Sequence, residues 1–189
     1  MSIWHWFVKP LKHNKVLLVE HYKGVFEGLK LYWKVYGGLS SLITSPYLHL
    51  SLIISLIAHP AWMSQNKETF WFDLSLSTLP NLLGFTLGGY AILLAFGDDR
   101  FRKQIAEKTD DGNPSLFMSL NGAFLHFIIT QAIAILFAII GNALEIKAGV
   151  FAWIGFTLFI YSILTAVAAA LAVLDVADLF EILRNKETK

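Results

Sequence analysis

Apolar residues run without a single Lys, Arg, Asp or Glu through residues 39–58, 79–96, 119–141 and 150–174. Each run is near the roughly 20 residues that a helix needs to cross about 30 Å of hydrocarbon. Backbone polar groups find no water there, so all four runs are expected as helices. Upstream the pattern changes. Leu18, Tyr22, Val25, Leu29, Trp33 and Tyr36 recur every three or four residues, while Glu20, Lys23, Glu27, Lys30 and Lys34 recur on another face. That period predicts an amphipathic helix over residues 15–36, with Lys23–Glu27 and Glu27–Lys30 at ion-pairing spacing.

The expected fold is therefore all-α: four transmembrane helices preceded by an N-terminal amphipathic helix at the membrane surface. Residues 1–38 form the interfacial segment and 39–174 the membrane domain, with a cytoplasmic connector at 97–118. Residues 175–189 form a cytoplasmic helical tail. Gly37-Gly38 releases the chain after the amphipathic helix, and Ser45-Pro46 is a common helix start. The first run therefore either begins at Pro46 or is kinked there.

Composition agrees with this plan. Mean hydropathy is +0.57 and only 15% of residues are charged, against about 25% in soluble domains. A soluble helical bundle would alternate apolar and charged faces within its helices, which these runs do not. The absence of cysteine excludes disulfides and thiolate metal sites. The start, MSIWHWFVKPLKHNK, lacks the order of a cleavable signal, so the runs themselves are expected to direct insertion.

Charge sets the expected orientation. Thirteen of the 15 Lys and Arg fall before the first run, in the connector or in the tail; only Lys67 and Lys147 fall in the other two loops. Basic flanks stay inside, so both termini are expected in the cytoplasm. The exterior loops, 59–78 and 142–149, are small. Trp62, Phe70, Trp71 and Phe72 in the first suit the headgroup layer.

Candidate residues fall into four groups. Lys9, Lys12, Lys15 and Trp33 are expected at the membrane surface, where the basic side chains attract anionic lipid. The alternative is that the amphipathic face packs on the protein's own connector. Gly84, Gly88, Ala91 and Ala95 form one small-residue stripe, and Gly155, Ser162, Ala166 and Ala169 another. Such stripes let backbones approach closely, either within one chain or between copies. His49, His126 and Gln131 place polar groups at depth, where they either hydrogen-bond structurally or line a conduit.

The connector GDDRFRKQIAEKTDDGNPSLF reads as a short helix with Asp98 and Asp99 at its N-terminus, followed by a turn over 110–114. The Asp/Asn cluster lacks the spacing and closing Glu of a Ca²⁺ loop. Asp175 and Asp178 lie one helical turn apart but have no second metal-ligating motif to join. No Walker loop, dinucleotide fingerprint, nucleophile elbow or zinc motif occurs. Enzymatic activity, cofactor and metal are not expected.

With its Lys- and Trp-rich entry, four-run plan and the segment LPNLLGFTLGGYAILLAFGDDRF (residues 79–101), the chain resembles the membrane subunit of the bacterial Kiwa antiviral defence system. The resemblance implies a homo-oligomer, a tetramer, which holds a nucleic-acid-binding partner in the cytoplasm and responds to phage at the envelope. The function expected is a non-catalytic oligomeric sensor or scaffold. Its surfaces for a cytoplasmic protein would be Arg100, Arg102, Lys103, Asp175 and Asp178, with no direct contact to nucleic acid. The competing expectation is an ion channel or membrane-permeabilising effector in which His49 or His126 lines the conduit.

Overall fold

The computed structural model describes residues 4–63, 70–107 and 113–187, with side chains over 19–63, 70–107 and 113–185. Every regular element among them is a helix: α1 (Trp4–Tyr36), α2 (Gly38–Ile43), α3 (Pro46–Ile57), α4 (Pro60–Met63), α5 (Trp71–Ala95), α6 (Asp99–Ala106), α7 (Leu116–Ala143) and α8 (Val150–Glu187). Three of them, α5, α7 and α8, are long and apolar enough to cross a membrane. They pack on one another, and α3 lies along α8.

The first apolar run is not one helix. It breaks at Thr44-Ser45, and Pro46 opens α3 at its first turn, where a missing N–H costs nothing. Twelve residues of α3 extend about 18 Å, short of the hydrocarbon thickness. The second run starts eight residues earlier than its apolar pattern suggested. Asp73 Oδ2 accepts the Phe70 N–H at 2.9 Å, so a carboxylate at the helix start opens α5 at Trp71.

Trp71 and Phe72 are not headgroup aromatics. Both are buried, and Trp71 is completely enclosed. Its indole lies against Gly141 of α7 and Gly155 of α8, where a Cβ on either glycine would run into the ring. The indole N–H donates to the Ile146 carbonyl at 2.9 Å in the α7–α8 turn. One side chain from α5 thus joins the C-terminal end of α7 to the N-terminal end of α8. Around it gather Leu79, Ala134, Ala138, Ala152 and Phe156. Further along α8, Ser162, Ala166 and Ala169 are also buried, so the α8 stripe is filled within the chain.

At the opposite end of the bundle a second cluster joins Leu93, Phe101, Ile105, Phe124, Phe127 and Val176. Asp98 caps α6, accepting the Phe101 N–H at 2.8 Å. The rings of Phe96, Phe101 and Phe180 then meet edge to face, Phe101 and Phe180 at 5.1 Å. The expected turn over 110–114 lies mostly outside the described residues.

Trp71→Ala should remove this wedge and cost about 3–5 kcal/mol, as large aromatic truncations in cores do. Reversible unfolding in mixed micelles measures it; an unchanged midpoint would show that these helix ends are held some other way.

Candidate functional site

The most organised polar site is a clamp at the root of α1. Tyr32, Val35 and Tyr36, in its last two turns, are the most shielded of its residues between 19 and 36. They fit because α7 offers Gly122: a Cβ there would sit 2.7 Å from Val35 Cγ1 and 3.2 Å from the Tyr36 nitrogen. One turn further along α7, His126 is 5% exposed. Its Nδ1 lies 2.7 Å from the Tyr32 hydroxyl and its Nε2 2.9 Å from the Tyr161 hydroxyl on α8. The Tyr36 ring stacks on the imidazole with centroids 3.8 Å apart and planes 11° from parallel.

A neutral imidazole has one donor and one acceptor, and each hydroxyl can take the complementary role. Both ring nitrogens are therefore satisfied by three helices closing on one side chain. The site has the form of a structural clamp. His49 has no such setting: it is exposed on α3. The two histidines play different parts.

Gln131 lies fully buried on α7, and its amide nitrogen donates to the Thr86 hydroxyl on α5 at 2.9 Å. Thr86 in turn donates to the Leu82 carbonyl. Other interior hydroxyls do the same, with Ser51, Ser75, Thr157, Ser162 and Thr165 all bonding carbonyls of their own helices. The interior is polar in places, and the buried Gln131 Oε1 has no hydrogen-bond partner among the described residues.

The α5 stripe differs from the α8 stripe. Gly84, Gly88, Ala91 and Ala95 are all exposed, and a Cβ on Gly84 or Gly88 meets nothing within 4 Å. Ser77 and Asn81 extend the same face, also exposed. Sequence reasoning could not separate the two stripes; the exposed amide of Asn81, in register with Gly84 and Gly88, was the signal it missed.

The partner-binding residues expected on the cytoplasmic side are not brought together. Arg100 lines a cleft of about 330 Å³ with Asp98, Phe101, Gln104, Phe180, Leu183 and Arg184. Arg102 turns back and donates to the Gly97 carbonyl at 3.1 Å. Lys103 is exposed on α6, and Asp175 and Asp178 are exposed on α8 outside the cleft. Lys9, Lys12 and Lys15 belong to α1, but their side chains lie outside the described residues. Among the described residues, no three metal-ligating side chains converge.

No family model, curated protein or solved structure matches this chain, so its functional reading rests on its own geometry.

Gly122→Leu should drive α1 off α7. Overpacking of this kind costs about 1–3 kcal/mol, which corresponds to roughly 5- to 150-fold faster tryptic cleavage at Lys30 and Lys34. Unchanged cleavage would show that the clamp does not hold α1.

Proposed function

We propose that this chain is a non-catalytic, oligomeric scaffold or sensor in a bacterial inner membrane, with both termini in the cytoplasm, where it holds a protein partner. The observation that carries this reading is the open face of α5. Lipid tails are as apolar as Leu, so helices in a bilayer associate through close backbone contact and interhelical hydrogen bonds. Ser77, Asn81, Gly84, Gly88, Ala91 and Ala95 offer both, and the described residues leave them exposed. A second copy would cover that face and shield the Asn81 amide from hydrocarbon.

The topology proposed with it has a composite fourth crossing. Tyr36 is rooted beside His126, ten residues into α7, while Ser55 of α3 receives the Trp153 indole N–H near the start of α8. The root of α1, α2 and α3 together thus run from the inner part of the bundle to its outer end. This would leave the N-terminus and the end of α8 on one side, as the distribution of basic residues favours.

The cytoplasmic end supplies the partner surface: α6 with Arg100, Arg102 and Lys103, and α8 with Asp175 and Asp178. The resemblance to the Kiwa membrane subunit adds antiviral defence as the setting and a tetramer as the assembly. A channel formed by the oligomer is the second reading, favoured by one feature, the exposed His49 imidazole on an apolar helix.

Native mass measurement in lipid nanodiscs tests the assembly. Wild type should give a multiple of 21.2 kDa, and Gly88→Leu should release monomer, because a side chain there meets nothing in its own chain. Monomeric wild type would overturn the scaffold. Reconstituted protein that conducts ions, with His49→Leu abolishing the current, would favour the channel.

A further inference from the structure

Helix α1 presents three sectors. Tyr32, Val35 and Tyr36 face the bundle. Val19, Tyr22, Val25, Phe26, Leu29 and Trp33 recur on a second sector and are 40–65% exposed. Lys23, Lys30 and Lys34, with Glu20 and Glu27, form the third and are exposed as well. The Lys23–Glu27 pair closes at 4.0 Å in solvent, which adds little to stability. A row of six large apolar side chains that the described residues leave exposed is unusual on a soluble surface and marks a contact.

The clamp indicates what that contact is. His126 lies about 15 Å along α7 from its cytoplasmic start at Leu116. A helix rooted there leaves the bundle from within the inner half of the bilayer. Its neighbouring turns meet lipid before they can reach water. The charges agree: residues 4–36 carry six Lys against two Glu, complementary to an anionic leaflet. Long Lys stems can keep their ammonium groups at the headgroups while the turn itself lies deeper.

We infer that the exposed sector of α1 is a lipid-binding arm whose occupant is the anionic cytoplasmic leaflet, with the His126 clamp as its anchor. The apolar row lies in the acyl boundary, and Lys23, Lys30 and Lys34 meet lipid phosphates. Bending or crowding of that leaflet would act on the arm and reach α7 and α8 through Tyr32, Tyr36 and Tyr161. Packing of this face on the protein's own connector, the alternative the periodicity left open, does not account for six exposed side chains. The inference is independent of the α5 interface, since a monomer carries the same arm.

The absence of native cysteine makes the test direct. Phe26→Cys and Glu27→Cys, each carrying an environment-sensitive fluorophore, report on the apolar and charged sectors of the full-length protein. Both positions are exposed, so neither label disturbs the bundle. The vesicles contain phosphatidylethanolamine and phosphatidylglycerol, with brominated acyl chains on the glycerol lipid. The label at 26 should be quenched several-fold more than the label at 27. Moving the bromines to the ethanolamine lipid at equal content should weaken that quenching. The triple change Lys23→Gln, Lys30→Gln and Lys34→Gln should abolish the difference between the two lipids. Equal quenching at 26 and 27, quenching at neither, or indifference to headgroup charge would overturn the inference. So would excimer emission from pyrene at position 26, because it would make a second copy the occupant.

Discussion

Close approach at three glycines organises this bundle. In a bilayer, burying a side chain between helices gains no hydrophobic free energy, so contact area and hydrogen bonds must hold the helices together. Gly141 and Gly155 open a slot that only the flat indole of Trp71 fills, and Gly122 admits the end of α1. Had either site carried a Cβ, α7 and α8 would stand further apart at one end and α1 would lose its seat. With the inner faces of α5, α7 and α8 committed in this way, the other face of α5 remains uncovered. The open stripe is a consequence of how tightly the rest of the chain closes.

Polar groups follow the same economy of space. Most interior hydroxyls turn back to carbonyls of their own helix, which satisfies them without a second helix. Side-chain links cross between helices from Gln131 to Thr86 and in the clamp of His126 with Tyr32 and Tyr161, besides those of Tyr90 to Asn121 and Trp153 to Ser55. The clamp is the more consequential because it ties an amphipathic helix to two apolar ones. The amphipathic helix and the apolar bundle are thereby mechanically joined through one imidazole.

Much of this was legible in the sequence, and the failures have physical causes. The runs at 119–141 and 150–174 fall on α7 and α8 because uninterrupted apolarity is a local property. The run at 39–58 follows one break, Gly37-Gly38, and contains another, Ser45-Pro46, but their outcome depends on what α3 packs against. Trp71 reads like a belt aromatic, since the slot that receives it is built 70 and 84 residues away. Likewise His49 and His126 look alike in the chain; the clamp partners of His126 lie 94 and 35 residues off. The two small-residue stripes are indistinguishable by spacing, and only burial separates the filled one on α8 from the open one on α5.

The central claim is that copies of this chain meet along α5 while α8 is spent internally. Disulfide cross-linking in native membranes addresses it directly, with single cysteines at Gly84 or Gly88 compared against Ser162. The account predicts rapid dimer formation from the first two and none from Ser162, which is fully buried. Absence of dimers from the α5 positions, or equal dimer formation from Ser162, would contradict it.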